Sequence, residues 1–434
     1  MDALKLLREL VEIDTTINPS EGKYPNPAAL DLVREAASSL GLSCQVISQG
    51  GLRHLIARAG DAPVALFMAH LDTVPFDRGE WRHDPLKLTV EGGRAFGRGA
   101  LDDKGNVAAL LAAVEEAGVG EGIALAVTMD EEAGGGGARL VRDSMRGNPP
   151  RWLVNADGNG MVVINRRRGV FEATIRVPES KLIARGREER VEFRLDYKVR
   201  PAHHAAYFLA GVDSHPLITL SHHVRVNDLA VAELGGAWIK TNVVPARTWA
   251  TVVARGEGTE VEVDPNLTGL VKAIVPLTRP VIRTKAPSEY GINATPNYYR
   301  RAGGGMHELV IDIRAMTDDE AEVRRAVEEQ LGELRAEVEV SGGGGYLYTD
   351  PSSDLVAAAF NALRRLGVEP RTAEMNGASD SRHFASLGVQ AIDFGPVGGN
   401  IHGPDEYVDL NSLELTVKFY AELMRSVMRS KARG

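Results

Sequence analysis

Apolar residues at Ala3, Leu6, Leu7, Leu10 and Ile13 recur with helical spacing, so the chain is predicted to open on an amphipathic helix. A second helix is predicted to start near Asn26-Pro27, where Asn suits the cap and Pro the first turn. It is predicted to stop at Gly41, because glycine accepts the left-handed conformation that ends helices. Short apolar runs follow at Leu55 to Ala57, Val64 to Met68, Ile123 to Met129 and Trp152 to Ala156. Such runs read as strands buried on both faces. An alanine-rich helix over Asn106 to Ala117 separates the second run from the third. The alternation predicts an α/β unit, a mostly parallel sheet with helices on both faces.

From about Met161 to Val340 the pattern changes to longer β-like stretches, such as Trp238 to Val253 and Leu309 to Ile313. Asp319 to Leu334 is the clearest helix there. α/β character returns with a helix from Ser353 to Leu366, a strand from Val389 to Phe394 and a last helix beginning near Leu413. The expected layout is a discontinuous catalytic domain, residues 1–163 and 344–434, with an inserted α+β lid domain over 164–343. The glycine runs Gly134–Gly137 and Gly342–Gly345 read as turns. Arg166, Arg167 and Arg168 read as a solvated charge run that could attract an acidic substrate.

A chain of 434 residues exceeds what one core usually serves, which agrees with two domains. The net charge of -9 argues against a nucleic-acid partner, which wants a basic face. No apolar run is long enough to cross a bilayer, and the opening helix is not a signal peptide. The single cysteine, Cys44, cannot form an intrachain disulfide, so a reducing, cytoplasmic compartment is expected.

Polar residues cluster just after the strand-like runs, where open parallel sheets bind ligands. MAHLDTVP places His70 and Asp72 there, and TMDEEAGGGG places Asp130, Glu131 and Glu132. NADGNG adds Asp157, GRGALDDKG adds Asp102 and Asp103, and GPVGGNIHGPDE adds His402. A lone histidine after a strand is usually structural, and a DEE cluster alone is usually a solvated loop. Two histidines and several carboxylates at strand ends together form the donor set that borderline cations prefer. A carboxylate shared between two ions, with a histidine and a second carboxylate on each, would build a two-metal site. In His70-Leu71-Asp72, alternate residues point the same way, so Asp72 can reach the ring nitrogen that does not bind metal. Glu131 and Glu132 are adjacent, so one can bind metal while the other stays free as a general base.

HLDTVP, GRGALDDKG, DEEAGGGGA, SDSRHF and GGNIHGPDE occur in this order across nearly the whole chain. With them the chain resembles the zinc-dependent exopeptidase and deacylase family of aminoacylase, glutamate carboxypeptidase, carnosinase, acetylornithine deacetylase and succinyl-diaminopimelate desuccinylase. The resemblance implies two divalent ions, zinc with cobalt or manganese as substitutes. It implies that His70 and Asp157 hold one ion, Glu132 and His402 the other, and that Asp102 bridges them. Asp72 would orient His70, and Glu131 would move a proton from the attacking water to the leaving amine. Asp103 is expected to be a turn or cap residue. Arg382 would hold a substrate carboxylate, a task suited to a planar guanidinium. The inserted domain would act as a lid and carry homodimer contacts. His204 would stabilise the oxyanion, with His203 as the competing match. Asn242 in TNVVP would lie near the substrate, with Asn293 in INATP as its rival.

Two departures qualify the resemblance. Relatives run quickly from NVVP into the IDIR strand, whereas here residues 254–305 intervene and read as a lid insertion. Asp157 stands where dipeptidase-like relatives carry aspartate and deacylase-like relatives glutamate, which tilts the expectation toward peptidase activity. The expected function is an exopeptidase or dipeptidase acting on a small carboxylate-bearing amide. The alternatives are an N-acyl-amino-acid deacylase, such as a desuccinylase or deacetylase, and a non-catalytic metal-binding scaffold.

Overall fold

The computed structural model describes residues 1–195, 204–209, 211–342 and 345–431. The chain divides into two compact units. One comprises Met1–Arg167, Leu347–Met375 and Ser379–Gly434, and the other Arg168–Tyr346 with Asn376–Ala378.

The first unit is built on a nine-stranded sheet. Four adjacent strands at its centre, Ile123–Thr128, Ala65–His70, Trp152–Asn155 and Gln390–Asp393, are mutually parallel. Antiparallel strands flank them: Leu52–Ala59 and Ser43–Gln49 on one side, Val163–Arg167 and Leu347–Tyr348 on the other. Thr372–Met375 joins Val163–Arg167 in parallel. Strand side chains point alternately to the two faces. Ala65, Phe67 and Ala69 therefore pack against the helices Ala3–Val11, Lys104–Ala117, Asp354–Arg365 and Leu410–Lys431. Leu66 and Met68 turn the other way, onto Gly136–Ser144 and the turns of Asp380–Leu387. Every residue of Ala65–His70 is buried, so each side chain of Leu, Phe or Met type contributes about 1.5–3 kcal/mol. This is the expected mostly parallel α/β sheet with helices on both faces. A small four-stranded sheet, Gly398–Gly399, Tyr407–Asp409, Arg94–Phe96 and Thr89–Glu91, completes the unit.

The second unit holds two four-stranded antiparallel sheets. Leu182–Arg194 is the long strand of one, and Gly169–Pro178 pairs with Met306–Ala315 in the other. Three helices contribute to its core: Pro216–Val226, Pro265–Leu277 and Glu320–Leu331. The first two depart from the sequence reading, which found mainly strands there. Their apolar, β-branched stretches read as strand, yet His215 and Asp264 cap them and Pro occupies each first turn. Residues 254–305 are integral to this unit. They supply the edge strand Thr259–Val263, the helix Pro265–Leu277 and the strand Asn293–Ala302. The run of three arginines is not a solvated face: Arg167 is 5% and Arg168 3% exposed. The glycines at 134–137 form a turn only in part, since Gly136 and Gly137 open the helix Gly136–Ser144.

Candidate active site

The carboxyl ends of the parallel strands carry the candidate donors. His70 ends Ala65–His70, Glu131 and Glu132 form a tight turn shortly after Ile123–Thr128, and Asp157 follows Trp152–Asn155. Asp102 lies just before the helix Lys104–Ala117, after a cis peptide to Asp103. His402 sits on a loop between Gly398–Gly399 and Tyr407–Asp409, with a left-handed backbone (φ 62°).

These side chains converge into two groups, His70–Asp102–Asp157 and Asp102–Glu132–His402, whose ligand atoms lie within 4.8 Å of one another. Asp102 belongs to both. Its Oδ1 is 3.0 Å from His70 Nε2 and its Oδ2 3.1 Å from His402 Nε2. Glu132 Oε1 is 2.8 Å from the same His402 nitrogen. His70 Nδ1 faces the main-chain carbonyl of Asp72 at 3.1 Å. That fixes a proton on Nδ1 and turns Nε2 toward the shared carboxylate.

The electrostatics show what this arrangement needs. Burial pushes the carboxyl pKa of Asp157 well up; Arg167 opposes the shift, and Glu131 and Asp102 add to it. Burial likewise raises Glu131, against His70 and Arg382, with Asp72 and Asp102 adding to the rise. Glu132 is pushed up to about 7 by burial and by Asp102. Burial opposes charge on His70, yet its bonds to Asp102 and Asp72 raise its pKa well above the ordinary value. Both its ring nitrogens then face oxygens and both carry protons. Carboxyls that cannot all ionise together, facing imidazoles that hold protons in their place, form a set that divalent cations would relieve. Nitrogen and carboxylate donors in threes suit zinc-like ions. The residues present fit a pair of such ions.

Asp72 is fully buried, and its carboxylate does more than face His70 Nδ1, 3.5 Å away. Oδ1 accepts from Glu131 N (3.1 Å) and Oδ2 from Glu132 N (3.0 Å). One side chain thus ties the His70 strand to the two-glutamate turn. Asp103 is also buried. It accepts from His70 N and from Asn106 Nδ2, so it pins the strand end to the helix start. Arg382 is half-buried and its charge acts on Glu131 and on buried Asp380.

The remaining expected residues lie in the second unit. His204 Nδ1 accepts from Ala206 N, and its Nε2 is 3.3 Å from the Asn242 side-chain nitrogen. Asn293 is buried and donates from Nδ2 to the carbonyls of Ala205 and Phe208. It therefore holds the turn that follows His204. His203 lies outside the described residues.

Sequence reasoning passed over two buried ion pairs. Arg98 donates to Glu406 at 2.7 Å, and Arg167 donates to Asp393. Arg98 and Glu406 stood inside the quoted motifs, but nothing in a linear pattern tells a buried pair from exposed charge. The glycine run has a packing cause. A Cβ at Gly135 would lie 2.2 Å from Asp380 Oδ1, and one at Gly137 2.2 Å from His54 Nδ1.

The model of peptidase family M20/M25/M40 matches residues 66–426, a span that holds the whole candidate donor set. The chain belongs to this family. M20 proteins are metal-dependent amide hydrolases, and the chain is one of them. Among the relatives is the succinyl-diaminopimelate desuccinylase of Alkalilimnicola ehrlichii, 26% identical over 444 residues, covering 97% of this chain and all of the relative. Among solved structures, the aminoacylhistidine dipeptidase of Vibrio alginolyticus superposes with a TM-score of 0.68 at 14% identity, covering 98% and 96% of the two chains. A tripeptidase of Staphylococcus aureus gives 0.62 at 18% identity, covering 98% of each. The M20 fold is thereby shared along the full length. Among the described residues, no helix is long and apolar enough to cross a membrane.

Proposed function

We propose that this M20 protein hydrolyses the amide bond of a short peptide bearing a free carboxylate, using two zinc ions. The observation that carries the reading is Asp102, whose two oxygens each face a different histidine at about hydrogen-bond distance, 3.0 and 3.1 Å. In this reading His70 and Asp157 hold one ion, Glu132 and His402 the other, and Asp102 bridges. The ions would supply Lewis acidity, polarising the scissile carbonyl and acidifying the attacking water. Glu131 takes the proton from that water and hands it to the leaving amine. Its raised pKa suits a base that must be deprotonated yet able to give the proton on. Asp72 holds the Glu131 and Glu132 main chain in place through two N–H bonds. Arg382, whose charge reaches Glu131, takes the substrate carboxylate. His204 and Asn242, already in contact with each other, are assigned to the oxyanion and the substrate.

A second reading, an N-acyl-amino-acid deacylase, is favoured by the relatives that are named desuccinylases. Asp157, with its short carboxylate, supports the peptidase. The deciding experiment is a panel of dipeptides, tripeptides and acetyl- or succinyl-amino acids, offered to protein loaded with zinc, cobalt or manganese. Hydrolysis of the peptides first and fastest is expected. Turnover of the acylated amino acids alone would move the assignment to the deacylase, and no turnover of any amide would overturn both. We also propose a cytoplasmic setting and a homodimer through the second unit. Sedimentation at micromolar concentration tests the dimer.

A further inference from the structure

Two buried arginines stand behind the donor set, each gripping the main chain of one candidate ligand. Arg98, 2% exposed, donates from Nη1 to Glu406 Oε2 and from Nη2 to the carbonyls of His402 and Gly403, 3.2 Å each. Glu406 is fully buried. Its two oxygens accept from the main-chain nitrogens of Gly99, Leu101 and Asp102, at 3.1, 2.9 and 3.0 Å. This pair bolts the loop that carries Asp102 to the loop that carries His402. The His402 loop needs such a bolt. Its imidazole is 50% exposed, and Asn400, His402 and Asp405 all take left-handed backbone angles that cost non-glycine residues energy.

Arg167 repeats the device elsewhere. It donates from Nη2 to the Asp157 carbonyl, lies 4.0 Å from the Asp157 carboxylate, and donates from Nε to Asp393. Asp393 is fully buried and also accepts from Ser379 Oγ (2.7 Å) and Ser381 Oγ. The two arginines share no partner. Arg98 serves the loop of His402, in the group with Glu132. Arg167 serves Asp157, in the group with His70.

We propose that Arg98 and Arg167 are positioning residues that govern the two ion sites separately. Arg98 sets the affinity of the Glu132–His402 half and Arg167 that of the His70–Asp157 half. This inference rests on the two-ion reading above. Lysine at either position keeps the charge but not the fork. One ammonium cannot hold a carboxylate and also span the carbonyls that the guanidinium reaches. Loss of a residue that orients a ligand typically weakens metal binding by about 10–100-fold.

The test is metal stoichiometry and affinity, read by elemental analysis and chelator competition on the full chain. Free zinc is buffered between the wild-type affinity and the weakened one. Wild type is expected to hold two ions, Arg98→Lys one, Arg167→Lys one, and the double variant none. A double variant that still holds one ion would mean both arginines act on the same site. Single variants that keep both ions, or lose both together, overturn the inference as well. Wild-type protein that fails to bind a pair of ions overturns the two-ion reading itself, so the two failures are distinguishable. If either lysine variant does not fold, Glu406→Gln replaces Arg98→Lys and Asp393→Asn replaces Arg167→Lys. Loss of a single ion is then expected from each, and retention of both overturns the inference.

Discussion

Replacing Asp72 by Asn tests how the site is held together. The wild-type carboxylate is fully buried and supplies one oxygen to Glu131 N and the other to Glu132 N. Asparagine has one side-chain oxygen, so its amide nitrogen must face one of those N–H groups. A buried donor left without a partner costs about 1–3 kcal/mol, which is the expected loss of stability in the metal-free protein. The effect on metal should be smaller than removing a ligand. His70 Nδ1 keeps its bond to the Asp72 main-chain carbonyl, which the substitution leaves in place. The ring therefore keeps its tautomer, and affinity for the His70 ion should fall about tenfold, the low end for such residues. The Asp72 charge also helps raise the Glu131 pKa. Removing it lowers that pKa, so the acid limb of kcat/KM should move to lower pH. Urea unfolding of metal-free protein, chelator competition for zinc and a pH–rate profile read the three effects. An unfolding midpoint, zinc affinity and acid limb all equal to wild type would refute the argument.

Glu131→Gln should keep both ions and lose turnover by more than the roughly 10²–10⁴-fold typical of one general base, because two proton transfers depend on it; elemental analysis with steady-state kinetics checks both parts. Zinc at a hundredfold excess over its Kd should stabilise the protein by about 2.7 kcal/mol per ion, and Asp102→Ala should abolish that gain in thermal melts, since both ions share the residue. Persisting stabilisation in Asp102→Ala would contradict the shared carboxylate. His215 caps the helix Pro216–Val226 through Nδ1, and burial pushes its pKa from 6.5 down to about 4. The folded state binds fewer protons there than the unfolded state, so stability is complete above the unfolded pKa and is lost as pH falls toward 4. Between pH 7 and pH 5 the loss comes to about 2 kcal/mol. His215→Asn, which keeps a capping side chain, should remove that slope in urea unfolding. An unchanged slope would refute the assignment.

Much of the architecture could be read in one dimension, for local reasons. Strands such as Ala65–His70, with every residue buried, leave an unbroken apolar run. Helices such as Lys104–Ala117 leave an alanine-rich stretch that starts close to where it was expected. Candidate donors stood out because they follow such runs. The helices Pro216–Val226 and Pro265–Leu277 were misread, although each carried a cap and a first-turn proline. Their apolar content resembled strand, and the neighbour that makes a helix the better burial is distant in sequence.

The sequence by itself determined which segments are buried strands, where side chains able to hold metal or move protons follow them, and the family to which those motifs belong. Only the tertiary structure decided that Asp102 faces a histidine on each side, and that Asp72 carries the two-glutamate turn as well as facing His70. It also decided that Arg98 and Arg167 are buried rather than solvated. The physical reason is that hydrophobic period and capping act over a few residues and leave a local imprint. The worth of a charge depends instead on what lies within a few ångströms, and here those partners come from segments as far apart as Arg98 and Glu406.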